Sequence, residues 1–280
     1  MGQSAQFETD GFVVLPDLID PGLVARAGDR FAPLFAGEFA TGIMPDEWNW
    51  RAGRDPDTLT RQICNGWRAD PAIADIVLSE LVGATVARIA GWRGSRLLQD
   101  NVIWKPPGAG PLALHQDNAY IDWVVPQQMV SCWIALDETS IEGGTVEYVR
   151  GSHLWGPGPM PDQFHNPADY QSAMRTAAGD APVELVPIAV SPGSAVVHHG
   201  WLWHGSGPNL GTRPRRSVVA HCVPDAAEFH PTNRGGIHPI YGRYRRPGST
   251  EMDEAFFPVL YSRDRARSSF LGASTQIEKV

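Results

Sequence analysis

Residues 194–223 read SAVVHHGWLWHGSGPNLGTRPRRSVVAHCV. Two apolar runs rich in valine, 194–199 and 216–223, flank a turn-forming Gly-Ser-Gly-Pro-Asn, so the stretch reads as strand, turn, strand. The same texture recurs upstream at 95–104, 129–136, 144–149 and 183–190. Short β-type runs broken by Gly and Pro, with no helix-length insert between most of them, predict a mainly β sandwich or jelly roll. Helical patterning is confined to the first third. Asp20 and Pro21 make a capped start, and Leu23, Ala27, Phe31 and Leu34 recur at helical spacing, which predicts a helix over 21–36. Asp70-Pro71 repeats the signature, and Ile73 to Ile89 predict a second helix ending near Gly91. Residues 37–69, with Trp48, Trp50 and Trp67, read as loop, and 152–181 as a long lid or binding loop. The expectation is one domain over 1–280, with flanking helices about 18–92, a β core about 95–223 and an irregular segment 224–280.

Composition narrows the function. Of 280 residues 42% are apolar and 19% charged, the balance of a globular chain, and 29 Gly with 24 Pro argue against a long helical bundle. A net charge of −8 offers no basic field to nucleic acid or anionic lipid. Cys64, Cys132 and Cys222 are too few and scattered for a metal knot or a disulfide framework, so reduced, buried thiols are expected. The opening MGQSAQFETDGFVVLPDL lacks a basic region followed by an apolar run, and nowhere do 18 apolar residues stand together. A cytoplasmic protein with no membrane partner is expected.

The chemistry concentrates in Leu114-His115-Gln116-Asp117-Asn118-Ala119-Tyr120. In an extended strand His115 and Asp117, two apart, project to one side and can grip one ion; the plain alternative is a hydrogen-bonded pair on a surface strand. Support comes from His204, 89 residues past His115, placed after an apolar strand and before a turn. Two histidines and a carboxylate make the facial triad of a non-haem Fe(II) oxygenase, which leaves positions open for a co-substrate and O2. His198 and His199 are rivals for the second histidine, but adjacent positions face opposite ways, so at most one points inward. Eleven residues past His204, Arg215 stands ready to clamp a carboxylate of a dicarboxylic acid; its neighbours Arg213 and Arg216 are the alternatives for that role, and strand alternation sends Arg216 to the opposite face.

At this level of detail the chain resembles the phytanoyl-CoA dioxygenase family of Fe(II)- and 2-oxoglutarate-dependent oxygenases. The likeness runs from FETDGFVVLPDLID through NVIWKPPG, LHQDNAY, CWIALDE, GGTVEYVRGSH and SPGSAVVHHGWLWHGSGPN to RPRRSVVAHC. It implies a double-stranded β-helix, a cupin-like jelly roll with outer helices. It also implies iron ligands His115, Asp117 and His204, and Arg215 as partner of the distal carboxylate of 2-oxoglutarate. Ser206, Trp133, Asn101 and Arg61 are implied as further co-substrate contacts. Gln99, on the strand of Asn101 and facing the same way, and Tyr120, just past the metal pair, are candidate substrate contacts. Related halogenases carry Gly or Ala where Asp117 stands, so the resemblance favours hydroxylation of a small-molecule substrate, with succinate and CO2 as co-products. Two rivals share the fold: a non-catalytic cupin-like binding protein, and a metal-dependent isomerase or hydrolase. Arg243, Arg245 and Arg246 read as solvated surface.

Overall fold

A computed structural model describes residues 2–233 and 239–272; the remainder of the irregular C-terminal segment anticipated above lies outside the described residues. The first seventeen residues, which carry no strong pattern, form helix α1 (Gln3–Asp10) and strand β1 (Phe12–Leu15), joined by Gly11 in a left-handed conformation. Helix α2 (Pro21–Ala36) starts where the cap signature places it: the Asp20 carboxylate accepts from the Gly22 and Leu23 amides at 2.8 and 3.2 Å. The second predicted helix is two. Helix α3 (Pro71–Val77) ends at Leu78, and the Ser79 hydroxyl accepts from the Val82 amide at 3.2 Å to start α4 (Glu80–Ala90). An N-capping serine in mid-pattern offers the backbone a new start, and the chain takes it.

The predicted loop 37–69 contains strands β2 (Glu47–Trp48) and β3 (Arg61–Cys64). Then follow β4 (Gly94–Lys105), β5 (Leu112–His115), β6 (Val124–Val125), β7 (Val130–Ala135), β8 (Val146–Val149), β9 (Leu185–Pro187), β10 (Ala195–His199), β11 (His204–Ser206), β12 (Arg215–Pro224), β13 (Glu228–Phe229) and β14 (Val259–Ser262). Helix α5 (Ser172–Ala178) interrupts the predicted loop 152–181. Among the described residues an eight-stranded antiparallel sheet runs β1-β10-β7-β12-β4-β3-β2, with β14 also on β4, and faces a four-stranded sheet β5-β11-β8-β9. This is the expected jelly roll with outer helices. None of the described helices is long and apolar enough to cross a membrane.

Period-two alternation divides the large sheet. Val130, Cys132 and Ile134 on β7, Ala195 and Val197 on β10, and Val218, Ala220 and Cys222 on β12 face the helices and share a core with Phe31, Leu34, Ile73 and Val86. The intervening positions face the small sheet: Ser131 and Trp133, Val196 and His198, Arg215, Ser217, Val219 and His221. All three cysteines are free and buried. Phe31, fully buried, lies edge-on to Trp104 at 6.3 Å. Its replacement by Ala removes apolar contact and leaves a cavity, so the variant should lose about 3–5 kcal/mol in urea unfolding with an unchanged m-value.

Candidate active site

The site is assembled by one strand pair of the small sheet. His204 opens β11 directly opposite His115, the last residue of β5, and Asp117 begins the 3-10 turn Asp117–Tyr120 that follows. Gly205 makes the pairing possible, since a Cβ there would lie 2.8 Å from the Leu112 carbonyl oxygen. The imidazole Nε2 atoms of His115 and His204 each lie 3.5 Å from Asp117 Oδ1. The three ligand atoms all fall within 4.8 Å of one another. Each histidine's Nδ1 lies 2.9 Å from a backbone carbonyl, of Ala113 and of Leu202, so Nδ1–H donates there and the Nε2 lone pair points into the cluster. Burial pushes the His204 imidazole well below its ordinary value and keeps it neutral. Burial alone would raise the Asp117 carboxyl, but the surrounding imidazoles more than offset it and hold the group well below the usual carboxylate range.

Asp117 Oδ2 has its own partners. The Ser131 hydroxyl donates to it at 2.6 Å, and His198 Nε2 lies 3.2 Å away, with His198 Nδ1 3.0 Å from the Tyr148 hydroxyl. Thus His198 turns inward, but onto the far oxygen of Asp117 and outside the three-ligand cluster. His199 faces away, its Nδ1 accepting from the Trp201 amide.

Behind the cluster stands a cationic pocket. The Arg215 guanidinium, 3% exposed, donates to the Gly144 carbonyl and, at 3.0 Å, to the Ser217 hydroxyl. Lys105, opposite Arg215 on β4 and fully buried, donates to Ser206 Oγ at 2.7 Å and to the Gly207 carbonyl. Among the described residues no carboxylate lies within ion-pair distance of either cation. Burial pushes Arg215 down to about 10, and burial together with Arg215 pushes Lys105 down to about 6. Arg216 faces the opposite side, as alternation requires, and pairs with Asp137 at 2.6 Å.

Two connected chambers open on the cluster. The inner one is lined by Trp133, Ser206, Arg215 and Asn101 together with all three cluster residues. The outer one, about 270 Å³, takes in Gln99, Tyr120, Trp123, Glu47 and Tyr241, and Gln62 and Phe164 border both. Every residue assigned above to the metal, the co-substrate or the substrate lines a chamber except Arg61. Its guanidinium is sandwiched between Trp50 and Trp104, 3.8 and 4.4 Å from the ring centroids, on the helix side of β3. The next residue, Gln62, faces in. Trp48 and Trp67 pack on Phe39 and Phe270, away from the chambers. Alternation along recognised strands would have found Ser131, His221 and Lys105, which share parity with Trp133, Arg215 and Asn101. Phe164, edge-on to His115 at 4.8 Å, comes from the long loop and carries no periodic signal.

A jelly roll whose mouth gathers two imidazoles and a carboxylate, with a buried guanidinium behind them that has no ion-pair partner among the described residues, defines the class of non-haem metal oxygenases that take a dicarboxylic co-substrate. Comparison with known proteins agrees. The sequence profile of phytanoyl-CoA dioxygenase (PhyH) matches residues 7–217. A phytanoyl-CoA dioxygenase of Arabidopsis thaliana is 28% identical over 55% of this chain and 53% of its own length, so the match spans about half of that relative. The multifunctional dioxygenase prhA of Penicillium brasilianum is 28% identical over 78% of this chain and 70% of its own. A crystal structure of the epimerase SnoN in complex with Fe3+, alpha ketoglutarate and nogalamycin RO superimposes with a TM-score of 0.69 at 22% identity, covering 92% of this chain and 97% of SnoN. The chain belongs to the phytanoyl-CoA dioxygenase family.

Proposed function

We propose that the protein is an Fe(II)- and 2-oxoglutarate-dependent dioxygenase that hydroxylates a small organic metabolite and releases succinate and CO2. The observation that carries this reading is the buried Arg215 guanidinium with Lys105 beside it, placed behind a three-ligand cluster with no carboxylate among the described residues within ion-pair distance of either. A buried guanidinium without an ion-pair partner is costly, and burial beside it pushes the Lys105 ammonium down to about 6; an arriving anion pairs with the first and favours the charged form of the second. A dicarboxylic acid meets the need: one carboxylate reaches Arg215, Lys105 and Ser206, while the other end lies toward the cluster.

His115, Asp117 and His204 would hold the iron, with their Nδ1–H bonds fixing both imidazoles in the ligating tautomer. Bound there, iron supplies the oxidising chemistry, activating O2 as 2-oxoglutarate is decarboxylated. Trp133, Ile103, Val146 and Val219 give the inner chamber apolar walls that keep water from the co-substrate. Substrate enters the outer chamber against Tyr120, Trp123 and Gln99. Among its described lining residues there is no Lys or Arg, which favours an uncharged or cationic reacting end over a phosphorylated or acidic one. The overall conversion balances as R–H, O2 and 2-oxoglutarate giving R–OH, succinate and CO2.

The test is succinate release from 2-oxoglutarate in the presence of Fe(II), ascorbate and air, with and without candidate metabolites. Oxygen-dependent release, raised by substrate, is the expected result. A protein that binds 2-oxoglutarate without release would be a cupin-like binder, and activity persisting under anaerobic conditions would mark an isomerase or hydrolase.

A further inference from the structure

The register of the large sheet lines up a row of polar side chains beneath the cluster. His198 of β10 pairs with Ser131 of β7, Ser131 with His221 of β12, and His221 with Gln99 of β4. All point to the chamber side, where an apolar row would fill the same space at lower desolvation cost. The contacts along this row have a single consistent polarity. Gln99 Nε2 donates to Asn101 Oδ1 at 2.7 Å. Asn101 Nδ2 lies 3.0 Å from His221 Nε2. His221 Nδ1 lies 2.8 Å from Ser131 Oγ, and the Ser131 hydroxyl donates to Asp117 Oδ2 at 2.6 Å. An amide N–H can only donate to an imidazole nitrogen, so His221 Nε2 is the acceptor and its proton sits on Nδ1. Ser131 then receives that proton's bond and has its own free for the carboxylate.

We propose that Ser131 and His221 are positioning residues that hold Asp117 by its far oxygen, so that Oδ1 alone is presented to the metal, and that they tie this carboxylate to the Gln99–Asn101 wall of the outer chamber. The inference rests on the ligand assignment made above. Both amide atoms of Asn101 are engaged within the relay, which makes Asn101 a supporter of the site through His221 as much as a contact for a small molecule. Gln99, at the outer end, lines the outer chamber, and among the described residues nothing donates to its Oε1, which is placed to accept from a bound molecule. Removing the Ser131 hydroxyl would leave Oδ2 to His198 at 3.2 Å, with His221 Nδ1 at 3.5 Å too far for a good hydrogen bond, and let the carboxylate rotate; loss of such an outer partner of a ligand weakens metal binding about 10- to 100-fold.

The experiment titrates Co(II) into the intact protein and reads affinity and band shape from its visible absorption, with His115→Ala as control. Wild type should bind one Co(II) and His115→Ala should not bind at that site; failure of either overturns the ligand assignment. Given both, Ser131→Ala and His221→Phe should each weaken Co(II) about 10- to 100-fold. The double variant should be no weaker than Ser131→Ala, because both break one link. His221→Asn, whose amide N–H sits near the place of Nδ1–H, should recover wild-type affinity, which a mere packing role does not explain. Unchanged affinity and spectrum in Ser131→Ala, or His221→Asn no better than His221→Phe, would overturn the relay. If Ser131→Ala fails to fold, the two His221 variants decide the question.

Discussion

Asp117→Ala is expected to abolish 2-oxoglutarate turnover and to weaken Fe(II) or Co(II) binding by more than about 100-fold, beyond the loss of an outer partner. The carboxylate is the sole anion among the cluster's ligands, and four imidazoles crowd it: His115 and His204 from Oδ1, His198 and His221 from Oδ2. Its loss removes the charge that makes the site attract a dication and strips Ser131 and His198 of their acceptor. Leaving those buried donors unpaired costs about 1–3 kcal/mol, so a lowered unfolding midpoint should accompany the loss of activity. Isothermal titration for the metal, succinate release for turnover and urea unfolding for stability separate the effects. Metal affinity and turnover near wild type would remove Asp117 from the ligand set.

The second large effect is expected at Arg215. Arg215→Met keeps an unbranched apolar stem and deletes the guanidinium with its charge, and a charge-assisted bond to a carboxylate is worth about 1.5–3 kcal/mol. The KM for 2-oxoglutarate should therefore rise about 10- to 150-fold, while kcat at saturation changes little, because the lost contact lies on the co-substrate's remote end. Lys105 stays behind, relieved of a neighbouring cation, and keeps part of the affinity. Succinate release measured across a wide range of 2-oxoglutarate checks the split. An unchanged KM would transfer the clamp to another cation, with Lys105 the first to try.

How much of this was legible without coordinates depends on how far each signal extends along the chain. Strands β4, β7, β10 and β12 could be placed within one or two residues because each carries enough valine, isoleucine or leucine to fix its period. Helix α2 was equally plain, since cap, proline and apolar face agree. The shortest strands were not. Strand β11 is three residues, His-Gly-Ser, and β5 is four; neither runs beyond two periods, and they become strands because each supplies the other's hydrogen bonds. Strand β3, Arg-Gln-Ile-Cys, has too little apolar content to stand out from a tryptophan-rich loop.

That omission explains the misplacement of Arg61. Without a recognised strand there was no parity to apply, and one residue of offset exchanges the chamber side for the helix side. With β3 in place, Ile63 packs toward the helices, Arg61 shares its face, and Gln62 and Cys64 turn inward. The cluster itself was readable because a motif of three residues and its distant partner obey the spacing of a known family. The relay beneath it was hidden, since Ser131 and His221 meet only through cross-strand register, which no single stretch of sequence encodes.

The alternation on β7, β10 and β12 has a practical corollary for anyone wishing to redesign this enzyme. Stability and chemistry are written on opposite surfaces of one layer, in interleaved positions. A library confined to the helix-facing sites, such as Cys132 and Ile134 on β7, Ala195 and Val197 on β10 and Val218, Ala220 and Cys222 on β12, would retune robustness, whereas the positions between them would alter selectivity. A single deletion within β12, by contrast, would turn both surfaces over at once, steering aliphatic groups into the reaction chamber and a guanidinium into the oily seam beneath the helices.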